Sequence, residues 1–219
     1  MSYGTVAEIF SQISGVYDRF LGLISGGRIH SWQRELLSMM SCTGNWLDVG
    51  TGTGEVLGKL GDRQKSVRVG IDPSSGMLCV ARKKYPNIHF AQAVGESLPF
   101  KGESFGCVSL SLVFRHLQDK GAFLKEARRV LVEGGRLGLI DVGRFRGTGA
   151  VVLLMKTVLR VPGVLIFGRH KWDFFIHSVE ESYTVEEVKD MLEREGFKVY
   201  EVRKKLMGMV FLLVATKSA

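Results

Sequence analysis

Five short apolar runs, NWLDVG, VRVGID, IHFAQA, SFGCVSLSLV and GRLGLIDV, set the tightest limit on how this chain can fold. Their apolar residues follow one another without strict alternation, the pattern of strands covered on both faces. Helical stretches such as Met77 to Lys84 and Gly121 to Leu131 separate most of them. Strand and helix in repeated succession predict a doubly wound, mostly parallel α/β sheet. The tail breaks the rhythm, because FKVYEVRKK and MVFLLVATK meet at Leu206 to Gly208 with no helix between them. A closing antiparallel hairpin is expected there. Ahead of the runs, residues 5–41 carry apolar positions at helical spacing (Val6, Ile9, Phe10, Ile13, then Trp32, Leu36, Leu37), and Gly26 and Gly27 divide two helical pieces.

The first of the β-rich runs leads into LDVGTGTGE, with glycine at 50, 52 and 54. Glycine at every second position after a strand brings backbone close to a ligand. A dinucleotide fingerprint GxGxxG needs its third glycine at position 55 or 57, which are Glu55 and Leu57. A P-loop needs GK[ST], and the first lysine is Lys59. An acid at this helix N-terminus repels a pyrophosphate and welcomes a ligand that carries an ammonium group. S-adenosylmethionine is such a ligand, with a cationic amino-acid end, a sulfonium and a ribose. Asp48 is placed to attract the cationic end, and Asp72, which ends the second strand in VGID, to accept from the ribose hydroxyls.

LDVGTGTGE, VGIDPSSGML, GESLPF and RRVLVEGGRLGLIDV, in that order, resemble the successive motifs of class I S-adenosylmethionine-dependent methyltransferases. IFSQISGVYDRFLGLISGGRIHSWQREL, SLSLVFRHLQDK and YTVEEVKDMLEREGF resemble, more narrowly, the ubiquinone/menaquinone biosynthesis C-methyltransferases, so the likeness spans nearly the whole chain. It implies a seven-stranded Rossmann-like sheet with an antiparallel last strand. Four parts are expected in one domain: an N-terminal helical lid at 1–43, a cofactor-binding core at 44–143, a helical insertion or substrate cover at 144–184, and a last helix with the closing hairpin at 185–219. The resemblance also implies cofactor contacts at Gly50, Thr51, Gly52, Thr53 and Gly54 of the turn, at Asp72, at Val94, Gly95 and Glu96 beside the adenine, and at Ser111 at the end of the fourth strand. Met77 falls where such enzymes pack a side chain on the adenine, or is simply core. Val94 stands where the family commonly has an acid or amide, His116 replaces a usual asparagine, and VEGG replaces the frequent KPGG.

Methyl transfer is an in-line displacement at a sulfonium, so orientation dominates. A ring carbon becomes a good nucleophile once a neighbouring phenol, ordinarily near pKa 10, loses its proton. Three candidates follow for the reacting centre. Arg115 lies at the carboxyl edge of the sheet and matches the family's active-site arginine; an ion pair with Asp119 or another acid is the plainer reading. His116 titrates near neutral pH and is either a base or a satisfied structural histidine. Tyr17 matches a lid tyrosine, or packs the lid. No histidine or cysteine spacing suggests a metal, and this chemistry needs none.

The formal net charge of +8 favours an anionic partner. Nucleic acid is disfavoured because the fourth strand ends in SLVFRH rather than [NDS]PP[FYW], and no appended RNA-binding module is visible. Residues 144–171 hold Arg144, Arg146, Lys156, Arg160, Arg169 and Lys171 with no acid, threaded through AVVLLMKTVL and VPGVLIF. Lys156, Arg160 and Pro162 interrupt the apolar run and argue against a spanning helix. An interfacial surface, a pocket for a small apolar acceptor, and a helix buried against the lid all fit. Cys42, Cys79 and Cys107 are odd in number and form no CxxC pair, so no disulfide framework is expected, and a reducing, cytoplasmic setting fits with peripheral membrane contact. The opening residues SYGTVAEIF lack the cationic start of a secretory signal. The expected activity is methylation of a small apolar acceptor, at the carbon of a prenylated quinone precursor; the alternatives are oxygen or nitrogen methylation of another small molecule or lipid, or a non-catalytic scaffold that binds the cofactor.

Overall fold

The computed structural model describes residues 26–61 and 66–218. The five runs form parallel strands β1 (Trp46–Val49), β2 (Arg68–Asp72), β3 (His89–Gln92), β4 (Phe105–Ser111) and β5 (Leu131–Val142). The tail forms β6 (Phe197–Lys205) and β7 (Val210–Lys217), joined by a 3₁₀ turn at Leu206–Gly208. The sheet order is β3-β2-β1-β4-β5-β7-β6, and β7 lies antiparallel to both its neighbours. Between strands stand α1 (Ile29–Met40) at the start, α2 (Glu55–Gly58), α3 (Ser75–Lys84), α4 (Lys120–Val130), α5 (Thr148–Lys156), α6 (Arg160–Phe167), α7 (Arg169–Glu180) and α8 (Val185–Arg194).

Alternate residues of each central strand feed two separate cores. Leu47, Val108, Leu110, Leu137, Leu139 and Leu213 point to the face covered by α4 and α8. Trp46, Cys107, Ile140 and Leu212 point to the face covered by α1 through Ile29, Leu36 and Met40. Strands buried on both sides give the unbroken apolar runs of the sequence. β3 is the exception: it is an edge strand with His89 and Gln92 exposed, so the reading of full burial fails there. Helix starts are chemically marked. Ser74 caps α3, Asp119 caps α4, and Thr184 with Glu187 forms a capping box on α8, each satisfying amide groups that the first helical turn leaves unpaired.

α1 begins just after Gly27, as the two-glycine break predicts. Its C-terminal carbonyls at Met39 and Met40 accept from Arg136 of β5, and Glu35 on its outer side pairs with Arg203 and Lys205 of β6. These bonds tie the helix to the sheet at both its end and its flank. The helical piece expected before Gly26 lies outside the described residues. The cysteine expectation needs correction. Cys42, just past α1, and Cys107 of β4 meet sulfur to sulfur, with Cα atoms 6.1 Å apart, within disulfide reach. Their 65-residue separation gives no local spacing signal, so only the packing of α1 on β4 brings them together. Cys107 is core, as expected.

Candidate functional site

The chain crosses back from β3 to β4, so the strand order reverses between β1 and β4. Open α/β sheets bind ligands in the crevice outside the strand ends at such a point. A crevice opens there, lined by the turn after β1, the ends of β2 and β4 and the start of α1. Its floor is the turn after β1. Gly50, Gly52 and Gly54 all have positive φ, at 66°, 54° and 83°. A side chain at each of the three would strain this turn, which accounts for the alternating glycines. At Gly50 a Cβ would also lie 2.4 Å from Val113, so backbone and the wall after β4 close together only without one. Thr51 and Thr53 line the crevice, while Gly54 stands behind it as the N-cap of α2.

Asp72 reaches the crevice from the end of β2. One carboxylate oxygen accepts from the Gly52 amide at 2.9 Å and the other from the Ser74 amide at 2.8 Å, so the acid also fixes the glycine turn. Burial pushes its pKa up to about 6, although these two bonds act in the opposite direction. Asp48 is the more buried of the two and lies deeper. It accepts from the Ser109 hydroxyl at 2.5 Å, and Ser109 in turn accepts from the Trp46 indole at 3.0 Å. Burial raises the pKa of Asp48 to about 7. Asp48 borders the crevice, where an acid for the cationic end was expected, and one of its oxygens is engaged by Ser109. Glu55 also borders the crevice. Burial acts against its ionisation, yet hydrogen bonds from Lys84 and Lys59 hold its pKa down at about 2. Its charge is spent on those lysines.

The side walls come from the expected positions and from some that were not. Met77, Val94, Gly95 and Ser111 all line the crevice. Glu96 does not: its carboxylate accepts from the amides of Gln118 and Asp119, clipping the loop before α4, so a cofactor role is replaced by a structural one. From α1 come Ile29, His30 and Gln33, none of them singled out in the sequence. Gln33 is 5% exposed; its amide nitrogen donates to the Ser111 hydroxyl at 3.1 Å, and its oxygen is buried without a partner. A glutamine one residue after Trp32 on an otherwise core-facing helix is the signal that could have found it.

After β4 the backbone turns sharply. Leu112 takes φ 63°, a sparsely populated conformation for a side chain of its size. Asp141 at the end of β5 holds this turn from below: its carboxylate accepts from the Arg115 amide at 3.0 Å and from the Val142 amide at 2.7 Å, and pairs with the Arg115 guanidinium. That guanidinium also donates to the Leu112 carbonyl at 3.2 Å. Arg115 is therefore consumed beneath the turn and does not line the crevice, contrary to a place at the reacting centre; the ion-pair reading holds, with Asp141 rather than Asp119 as partner. His116 does line the crevice. Its ring stacks on Phe174 of α7, centroids 5.4 Å apart and planes within 15°. Burial, with the charges of Arg115 and Lys120 nearby, holds its pKa well below the ordinary histidine value, so the ring is neutral at pH 7. Tyr17 lies outside the described residues.

The Arg115–Asp141 side chains are 9% and 2% exposed, and breaking a buried pair from one side leaves an uncompensated charge. Asp141→Asn should lower the unfolding free energy by about 3 kcal/mol or more. Urea denaturation measures it, and a loss within roughly 0.5 kcal/mol, the surface-substitution range, contradicts the role given to Asp141.

Comparison with known proteins agrees with this geometry. A demethylmenaquinone methyltransferase from Chlorobaculum parvum is 30% identical over 226 residues, covering 99% of this chain and 94% of its own. A ubiquinone/menaquinone biosynthesis C-methyltransferase from Campylobacter jejuni is 26% identical over 229 residues, covering 97% of each. The crystal structure of an S-adenosylmethionine-dependent methyltransferase from Thermotoga maritima superposes with a TM-score of 0.70 at 22% identity, over 97% of this chain and 99% of that one, which shows the shared fold. Residues 2–217 match the model of the ubiE/COQ5 methyltransferase family. A glycine turn, an acid lining the crevice at the end of β2 and a family match along almost the entire chain lead to one conclusion: the protein belongs to the ubiE/COQ5 methyltransferases and is an S-adenosylmethionine-dependent enzyme.

Proposed function

We propose that this enzyme methylates a ring carbon of a prenylated quinone precursor presented at a membrane surface. The observation that carries this reading is the two-sided crevice. One side offers the glycine turn and Asp72; the other offers an apolar wall of Leu112, Val113 and Leu117 with the neutral, half-buried His116. The names of the two curated relatives support the quinone acceptor.

S-adenosylmethionine supplies an electrophilic methyl on a sulfonium, with a neutral thioether as leaving group. The chain's own work is orientation and proton control. Asp72 and the amides of the glycine turn hold the nucleoside end, Met77 and the backbone at Val94 and Gly95 border the base, and the wall after β4 sets the angle of approach. His116 accepts a hydrogen bond from the acceptor's phenol as the ring carbon bonds to the methyl and the methyl–sulfur bond breaks; the proton of the methylated ring carbon then passes to water as the ring regains its aromaticity. Phe174 keeps that imidazole in one plane. Its low pKa means that it polarises the hydroxyl rather than storing a proton.

The membrane part of the reading is supported by α5 and α6. Their inner face packs Val152 and Met155 on Trp172, Ile176 and Val179. Their outer face is apolar too: Leu153, Val158, Val161 and Leu165 are 63%, 69%, 68% and 81% exposed. A helix that is apolar all round needs a second apolar neighbour. Among the described residues no single helix is long and apolar enough to cross a bilayer, and the pair is bent by 69°, a shape suited to lying in the interface. Arg146 and Arg169 stand exposed beside it without an acidic partner among the described residues, as contact with an anionic, cytoplasmic leaflet favours.

Turnover is tested with a methyl-labelled donor and a demethylated prenyl quinol. Label should appear on the ring carbon, and His116→Ala should lower kcat by about a hundredfold, the lower range for a lost acid–base group, at unchanged S-adenosylhomocysteine affinity. Label on oxygen, or full rate in the variant, would refute the scheme. Asp72 makes a second test. Ribose hydroxyls donate best to the ionised carboxylate, so S-adenosylhomocysteine affinity should rise with pH up to about 6 and then flatten. Asp72→Ala should weaken binding about tenfold and abolish the contribution of that group to the pH profile. The interface reading predicts sedimentation with anionic vesicles. Leu153→Glu combined with Leu165→Glu should reduce it at least about tenfold, since each leucine withdraws roughly 1.5 kcal/mol or more of burial; equal sedimentation would count against α5 and α6.

A further inference from the structure

Among the described residues the amide oxygen of Gln33, like the Thr51 hydroxyl oxygen, is buried at the crevice without a hydrogen-bond partner. Gln33 is 5% exposed and surrounded by core positions of α1, where a leucine would fold at lower cost. The helix has little freedom to move the side chain elsewhere. Arg136 holds its C-terminal carbonyls, Arg203 and Lys205 hold Glu35, and the Ser111 hydroxyl holds the Gln33 nitrogen. What remains is a buried acceptor on a residue that lines the β4 side of the crevice.

The chemistry of the site restricts the donor. The acid for the ribose is at the end of β2, and the Val94–Gly95 wall lies farther in the direction of β3. A nucleoside anchored between them directs its remaining arm the opposite way, over β1 toward Ser111 and Gln33. In S-adenosylmethionine that arm bears a sulfonium, a carboxylate and an ammonium, and of these only the ammonium donates hydrogen bonds. Two acids were expected to receive it. Asp48 is bonded to Ser109, and Glu55 is paired with Lys59 and Lys84. Both have partners already, whereas the glutamine oxygen has none.

We propose that Gln33 is a cofactor-binding residue whose side-chain oxygen accepts a hydrogen bond from the ammonium group of the donor's amino-acid end. The inference rests on the crevice being the S-adenosylmethionine site. It assigns to α1, otherwise a cover for the sheet, a direct part in recognising the cofactor. It also links that recognition to Ser111, which keeps the amide turned with its oxygen toward the ligand. Through Gln33 the enzyme reads the arm of the cofactor and not its nucleoside.

Calorimetry with two ligands tests this. S-adenosylhomocysteine carries the amino-acid end, and 5′-methylthioadenosine lacks it. Gln33→Leu should weaken S-adenosylhomocysteine about tenfold or more, the range of a hydrogen bond to a charged group, and leave methylthioadenosine within about twofold, the scatter expected of a site not contacted. Gln33→Glu, which keeps shape and acceptor and adds charge, should bind S-adenosylhomocysteine at least as tightly as the parent. Unchanged S-adenosylhomocysteine affinity in Gln33→Leu overturns the proposal, as does equal weakening of both ligands. Weakening by Gln33→Glu overturns it too, since that result means the amide presents its nitrogen. If the unaltered protein binds methylthioadenosine but not S-adenosylhomocysteine, the proposal falls while a nucleoside site stands; if it binds neither, the cofactor site itself is misplaced.

Discussion

The buried bond between Asp141 and Arg115 holds together the parts on which the site depends. Asp141 is the penultimate residue of β5, β4 has just ended at Ser111, and the chain between Leu112 and His116 must turn within five residues. Leu112 takes a left-handed conformation in doing so, a local cost that persists only where surrounding bonds over-determine it. Asp141 supplies those bonds through two backbone amides and a guanidinium. The result is a wall after β4 that presents Val113 to the glycine turn and His116 to the acceptor side. An arginine that looks catalytic by position acts here as the fastening of the catalytic loop.

The crevice concentrates groups that folding alone would not place there. Asp48 and Asp72 are nearly enclosed and both are harder to ionise than free aspartate. Gln33 keeps an acceptor without a donor. His116 is half-buried next to two cations. Each lowers stability a little in the free protein, and each gains a use when a cation, a ribose or a phenol enters. The two α/β cores on either side of the sheet, built from ordinary apolar packing, absorb that cost.

Most of the fold was legible because it rests on local chemistry. Unbroken apolar runs gave the central strands, Gly26–Gly27 gave the start of α1, and the absence of a helix before MVFLLVATK gave the antiparallel end. The glycine turn was legible for the same reason: three left-handed positions in five residues admit few other side chains. What could not be read were pairings between distant segments. Asp141 and Arg115 are 26 residues apart, Cys42 and Cys107 are 65 apart, and Gln33 and Ser111 are 78 apart. No periodicity records such partners. Whether an acid faces a ligand or a neighbouring donor is settled by packing, and Asp48, Glu55 and Glu96 each accept from a neighbour through at least one oxygen.

The outermost strand β6 carries a further consequence. It closes the sheet with Lys198, Glu201, Arg203, Lys204 and Lys205 along its length, and Glu201 and Arg203 pair with each other. A neighbouring molecule that tried to extend the sheet there would have to strip water from a row of charges and match their register. Among the described residues the longest run of exposed apolar side chains is instead helical, on α5 and α6, where backbone hydrogen bonds are already closed internally. Stickiness is thus separated from strand-forming capacity: the protein can adhere to fatty material without offering a template on which its own copies would stack.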